Sequence, residues 1–289
     1  MEDRLARIAL GAFVVPAADD LDGVLAQVRA AEEAGLELIG IQDHPYQRRY
    51  LDTFALLAFL AARTSRITLF PDVANLPLRQ PALLATHAAT LDVLSGGRFE
   101  LGLGAGAFWD AIAAMGGPKR TPGESVEALE EALAILRAAW SGERSVTFTG
   151  EHYTVRGFHP GPRPAHDIGI WLGAYKPRML RLTGRAADGW IPSLPRFPLE
   201  ELAAAGARID EAAERAGRDP RSVRRIANVN GVITDGPAVG PFAGPPEQWA
   251  ETLQQLHTEH RFDGFVLWAE GDMQEQIGRL AREVRPLLS

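Results

Sequence analysis

Hydrophobic and polar positions along the chain follow two alternating periods. Short apolar runs of strand length recur, separated by longer stretches whose apolar positions repeat at helical spacing. A first run at about 7–14 is followed by an alanine-rich amphipathic helix at about 20–34, with Asp19 or Asp20 as its cap and Gly35 as its stop. LELIGIQD (36–43) predicts strand two, 51–63 a helix, and RITLFPDV (66–73) strand three. A helix over 80–94 opens beside Pro81 and ends at Ser95-Gly96-Gly97, after which RFELGLG (98–104) predicts strand four. A long helix over 122–140 opens at Pro122, with Glu124 in its first turn. SVTFTGEHYTV (145–155) breaks this rhythm, because two β-rich runs flank Thr149-Gly150-Glu151 and predict a hairpin. IGIWLG (168–173), DGWI (188–191), SVRRIANVNGVI (222–233) and FDGFVLW (262–268) complete eight strands. Helices over about 176–186, 198–216, 246–259 and 272–287 separate or follow them.

Strand–helix units repeated without a linker predict an α/β fold: a closed (β/α)8 TIM barrel, one domain over 1–289, with a small inserted β-hairpin near 145–155. An open doubly wound sheet would carry Gly-x-Gly-x-x-Gly after strand one, and none occurs there. Composition narrows the chemistry. A net charge of −7 argues against non-specific nucleic-acid binding, which needs a basic face. The absence of cysteine excludes disulfides, thiolate metal sites and a cysteine nucleophile. The opening MEDRLARIALGAF has no long apolar core, so no signal peptide is expected, and no uncharged apolar stretch is long enough for a membrane span. A cytoplasmic protein is the expectation.

In such a barrel the active site is built at the carboxyl ends of the strands. That rule selects Asp43-His44-Pro45-Tyr46 after strand two and Asp72-Val73-Ala74-Asn75 after strand three. It also selects Gly102 to Trp109 after strand four, Trp171 to Arg178 after strand five, and Trp268 after strand eight. This face is rich in glycine, aromatics and single polar groups. It suits a large planar cofactor with an anionic tail, since glycine lets backbone N–H groups approach a phosphate or a ring edge. Lys176 and Arg178 would add charge at a helix N-terminus. Each feature also has a plainer reading: Gly102, Gly104 and Gly106 allow tight packing, His44 could hydrogen-bond Asp43, Phe108 and Trp109 could pack a short helix, and Lys176 and Arg178 could be surface caps. Other chemistries lack their residues. No histidine pair marks strand one, His257 and His260 belong to a late helix, and no metal site is expected. Neither lysine, Lys119 or Lys176, lies in a strand as a Schiff-base aldolase needs, and no Gly-x-Ser-x-Gly elbow is present.

The block PLRQPALLATHAATLDVLSGGRFELGLGAGAFWD (77–110) resembles the most characteristic stretch of the bacterial luciferase-like family of flavin- or deazaflavin-dependent oxidoreductases. AEEAGLELIGIQDHPY (31–46), EEALAILRAAWSG (130–142) and FHPGPRPAHDIGIWLGAYKPRMLRLTGRAADGW (158–190) support it. The resemblance covers residues 1 to about 192 well and the remainder in outline. It implies a barrel in which His44 sits beside the flavin or deazaflavin ring as acid/base. Asp72, Val73, Ala74 and Asn75 would line the ring, near a non-prolyl cis peptide found in many relatives. Gly104, Ala105 and Gly106 would border the cofactor tail, and Gly173, Ala174, Tyr175, Lys176 and Arg178 would bind its phosphate. Phe13, Tyr46, Phe108, Trp109 and Trp268 imply a largely apolar cavity for a small organic substrate. The cofactor is coenzyme F420 or FMN, and the arginine bias, by association with organisms that use F420, favours F420. The alternatives are a monooxygenase using reduced FMN from a separate reductase, and a flavin-binding protein without turnover. Relatives often form homodimers through barrel helices. Two departures, Asp43-His44-Pro45-Tyr46 and the loop WDAIAAMGG (109–117), weaken any transfer of substrate.

Overall fold

The computed structural model describes residues 8–194 and 196–288. The start of the first predicted strand at residue 7, and the N-terminal residues 1–7 on which the signal-peptide reading rests, lie outside them. Eight strands form at the predicted places: β1 (Ala9–Val14), β2 (Leu38–Ile41), β3 (Thr68–Pro71), β4 (Leu101–Gly104), β5 (Ile170–Leu172), β6 (Gly189–Trp190), β7 (Arg224–Ile233) and β8 (Gly264–Ala269). They pair in parallel in the order β3-β2-β1-β8-β7-β6-β5-β4. The ring closes between its ends, where Leu69 pairs with Phe99 and the extension Ala74–Asn75 pairs with Leu103 and Gly104. The barrel expectation holds.

Helices α1 (Leu21–Glu33), α2 (Thr53–Ala61), α3 (Pro81–Ser95), α4 (Pro122–Trp140), α5 (Pro177–Ala186), α6 (Leu202–Arg215), α7 (Pro246–His260) and α8 (Met273–Arg279) surround it. Asp20 caps α1 by accepting from the Gly23 N–H. Thr121 and Glu124 cap α4 reciprocally, which satisfies two backbone donors that the first turn leaves open. The last helix departs from the pattern: after Arg279 the chain loosens into a π turn and then a 3-10 turn at Arg285–Leu287, where Pro286 removes a backbone donor. A short helix at Trp109–Ala114, which the periodicity does not announce, follows β4. The inserted hairpin forms from Val146–Thr149 and Thr154–Phe158. It is held to α4 by Glu131, whose carboxylate accepts from the N–H groups of Glu151, His152 and Tyr153.

Side chains two residues apart on a strand share a face, and this sets the contents of the bore. Leu38, Phe70, Trp171, Ile226 and Val266 pack as an apolar cluster inside the barrel. Two residues further along the same strands, toward the carboxyl ends, stand Gly40, Asp72, Gly173, Asn228 and Trp268. An apolar plug therefore supports a layer of glycine, acid, amide and aromatic. Outside the strands, a second and larger cluster joins the barrel wall to the helices. The bore is sealed below and shaped above.

Candidate active site

A cavity of about 360 Å³ opens at the carboxyl ends of the strands, within the size range of small-molecule sites. The structure brings most of the expected residues onto its wall: Phe13, His44, Tyr46, Asp72, Val73, Ala74, Asn75, Gly104, Ala105, Gly106, Phe108, Gly173, Tyr175 and Trp268. Phe13 and Trp268 stack, with ring centroids 4.7 Å apart. Phe108, half exposed, stands edge-on to His44 at 5.3 Å and forms one side of the entrance. The peptide bond between Asp72 and Val73 is cis, at the place the resemblance implies.

Four expected residues do not reach the wall. Trp109 turns over Gly106, whose φ of +101° suits glycine, so that a Cβ there would meet the Trp109 ring at 2.8 Å. Ala174 is fully buried, and its carbonyl accepts from Trp190 Nε1. Lys176 caps α5 outside the cavity. Arg178 is drawn away to Glu127 of α4, at 2.9 Å. Gly104 and Gly173 serve both of their readings: they line the cavity, and added Cβ atoms would press on Val73 at 2.9 and 3.2 Å. Glycine on β4 and β5 is what lets the Val73 segment lie against them.

Asp43 does not hold His44. Its carboxylate takes a bidentate pair from Arg79, at 2.9 and 2.7 Å, and the Asn75 N–H at 2.8 Å. With the Asp43 side chain wholly buried, this pair anchors the end of β2 to the extension beyond β3 that lines the cavity. His44 instead places Nδ1 2.6 Å from the Tyr46 hydroxyl. Burial lowers the imidazole pKa below its ordinary value, Asp43 opposes that shift, and Arg196 adds to it. Burial also pushes the Tyr46 hydroxyl up to about 12, with the charge of Asp43 adding and a hydrogen bond from Asn75 opposing. At neutral pH the imidazole is uncharged and the phenol keeps its proton. Burial likewise raises Asp72 to about 7, against a hydrogen bond from Asn228.

Sequence reasoning missed several wall residues, among them Gln42, Tyr50, Ile191, Ser193 and Arg196. The last three follow β6, so the strand-end rule that selected His44 would have found them had it been applied to that short strand. Asn228 carried no such signal, since it lies inside β7. The lining fits a planar heterocycle that carries O–H or N–H donors. Backbone faces at Gly104, Gly106 and Gly173 allow close approach, and the buried oxygens Gln42 Oε1, Asp72 Oδ2 and Asn75 Oδ1 have no hydrogen-bond partner among the described residues.

A closed β/α barrel with a glycine-walled cavity open at its carboxyl end and a neutral histidine on its wall is the framework of an enzyme that works on a small molecule with a flat cofactor. Comparison with known proteins makes the class specific. A family model described as luciferase-like monooxygenase matches residues 5–240. An F420-dependent glucose-6-phosphate dehydrogenase of Kineococcus radiotolerans is 33% identical over 240 residues, 78% of this chain and 70% of that one. An F420-dependent hydroxymycolic acid dehydrogenase of Mycobacterium tuberculosis is 33% identical over 231 residues, 77% of this chain and 62% of that one. A solved F420-dependent secondary alcohol dehydrogenase in complex with an F420-acetone adduct superposes with a TM-score of 0.86 at 17% identity, over 98% of this chain and 99% of that one, a likeness of fold. The chain belongs to the luciferase-like monooxygenase family and is an enzyme, an oxidoreductase. Among its described residues no helix is long and apolar enough to cross a membrane.

Proposed function

We propose that the protein is an F420-dependent oxidoreductase that transfers hydride to or from a small, largely apolar organic substrate, with His44 as the acid/base. The observation that carries this reading is the cavity at the strand ends, where His44 lies beside the Val73 segment and the glycine wall. The names of the sequence relatives support F420 as the cofactor. When bound, the deazaflavin supplies the hydride chemistry. Gly104, Ala105, Gly106 and the Asp72–Asn75 segment would hold its ring, and Gly173 and Tyr175 would meet its tail. Phe13, Tyr46, Phe108 and Trp268 would shape the substrate space and exclude water.

His44 moves the proton at Nε2, because Nδ1 is committed to Tyr46. When Nδ1–H donates to the phenol oxygen, Nε2 is bare and serves as a base toward a hydroxyl. When the imidazole has taken up a substrate proton it is an imidazolium, and its Nε2–H serves as the acid toward a carbonyl oxygen in the reverse direction. Gain and loss of one proton at Nε2 thus suit the same imidazole to either direction of reaction, with the Tyr46 oxygen accepting from Nδ1–H throughout. Burial, by lowering the imidazole pKa, favours the neutral base at pH 7 and makes the imidazolium the stronger acid.

Parallel fluorescence titrations with F420 and FMN test the cofactor. Binding of F420 at least about tenfold tighter than FMN is expected, which corresponds to about 1.4 kcal/mol. Preference for reduced FMN would refute the F420 reading and point to oxygen-dependent chemistry with a partner reductase. His44→Ala should cut turnover at least about 100-fold while cofactor affinity stays within a few-fold; full activity in that variant would refute the role. Exposed apolar side chains, Phe59 of α2 and Leu83, Val93 and Leu94 of α3, support a homodimer through this face. Sedimentation of the wild type against Leu83→Glu checks it, and a monomeric wild type would refute it.

A further inference from the structure

The floor of the cavity holds a carboxyl that the acid/base role of His44 leaves unused. Asp72 is 7% exposed yet lies on the cavity wall. Its Oδ1 accepts from Asn228 Nδ2 at 3.0 Å, and the same nitrogen donates to Ser193 Oγ at 3.2 Å. Its Oδ2 is buried and has no hydrogen-bond partner among the described residues. Leaving a buried carboxylate oxygen unmatched is costly, and native structures match such atoms. Space for it is provided by the adjacent strand: a Cβ on Gly40 of β2 would stand 2.8 Å from Oδ2. β2 omits a side chain where β3 presents an acid.

The neighbouring unmatched atoms are all of one kind. Gln42 Oε1 and Asn75 Oδ1 on the wall, and Asn228 Oδ1 beneath it, are buried oxygens without partners among the described residues. A floor of acceptors discriminates for a ligand that donates, because a ligand without O–H or N–H groups would leave these oxygens dry and unpaired.

We propose that Asp72, held in place by Asn228 and Ser193, is a ligand-binding residue whose carboxylate accepts a hydrogen bond from an O–H or N–H group at the floor of the cavity. The donor is either the ring N–H of the flavin or deazaflavin or a hydroxyl of the substrate, and the chemistry required of Asp72 is the same. This rests on the cavity being the cofactor and substrate site. The groups facing Asp72 are few. β2 and its loop bring Asp43, already paired with Arg79, together with His44 and Tyr46. β1 and β8 bring the uncharged Phe13 and Trp268, β4 and β5 glycine backbone and Tyr175, and β6 and β7 Ser193, Arg196 and Asn228. Burial places the Asp72 carboxyl at about 7, so acid and carboxylate coexist near neutrality. A donor binds the carboxylate, and binding therefore strengthens as pH rises through that value.

The test measures F420 and FMN affinity separately from pH 6 to pH 8, for wild type, Asp72→Asn and His44→Gln, without substrate. A second arm measures KM for 2-propanol with saturating cofactor. In the wild type, ring affinity or alcohol KM should improve about tenfold across this range, the change in the carboxylate fraction of a group titrating at 7. The slope should survive in His44→Gln and vanish in Asp72→Asn, with Asp72→Ser as the substitute if the asparagine variant does not fold. A slope in the ring arm assigns the donor to the cofactor, and one in the alcohol arm assigns it to the substrate. The same slope in Asp72→Asn, no slope in the wild type, or affinity that falls with rising pH would overturn the proposal while leaving the cofactor reading intact. Failure to bind either ring at any pH would remove both.

Discussion

Ionising Asp72 inside the barrel has a cost, and that cost gives the fold a pH dependence of its own. A carboxyl moved from its ordinary 3.8 to about 7 by burial holds its proton more tightly in the native state than in the unfolded chain. At 1.36 kcal/mol per tenfold change in ionisation constant, ionising it in the fold costs about 4 kcal/mol. Below about pH 4 both states are protonated and the cost is absent. Between about 4 and 7 the unfolded chain ionises first, so stability falls as pH rises, and above 7 the loss is complete and constant. Asp72→Asn keeps the shape of the side chain and loses the ionisation. Relative to wild type it should therefore gain about 4 kcal/mol between pH 4 and pH 8, or roughly 10 °C in Tm for a chain of this size. Urea unfolding of both proteins at several pH values gives the difference directly. Other titrating groups cancel in that difference, because the two chains share them. A stability difference constant to within about 1 kcal/mol from pH 4 to pH 8 would show that Oδ2 is solvated or matched, and would refute the reasoning.

Other predictions follow from the same geometry. Asp43→Asn leaves the buried Arg79 guanidinium without its main partner. Breaking a buried pair costs about 3–5 kcal/mol, and Asp52, half exposed at 3.1 Å, offsets part of it; a loss of about 2–4 kcal/mol is expected by urea unfolding, and an unchanged midpoint would contradict the anchor role. Gly102→Ala would set a Cβ 2.1 Å from the Pro71 carbonyl oxygen, so the backbone must shift. It should lower stability by about 1–3 kcal/mol and weaken cofactor binding together, whereas loss of stability with wild-type affinity would separate β4 from the site. For alcohol oxidation in Asp72→Asn, which removes the carboxyl titrating near 7, kcat/KM should fall on the acid side only below pH 6.5, since burial lowers the His44 pKa and protonation removes the base. An acid limb centred above 6.5 would argue against His44 as that base.

The local pattern carried most of the scaffold. Eight apolar runs, their helices, the Asp20 cap, the helix start at Pro122 and the inserted hairpin are each specified within a window of a few turns, by periodicity and by residues suited to ends and turns. Once the barrel is inferred, His44 and the Asp72–Asn75 segment follow from the strand-end rule without any knowledge of contacts. What the pattern left open are partnerships across the bore. Asn228 meets Asp72 over 156 positions of chain, and Arg79 takes Asp43 away from the adjacent His44. Arg178, placed by its position near a helix start, turns instead to Glu127. Periodicity assigns a residue to a face, but strand register and ring closure decide which faces meet. In this protein the sequence alone determined the barrel and the end of it at which the cavity opens. Tertiary structure decided which acid is paired, which lies unmatched over the apolar plug, and which cations remain at the cavity. Those outcomes depend on distances between strands that no local window contains.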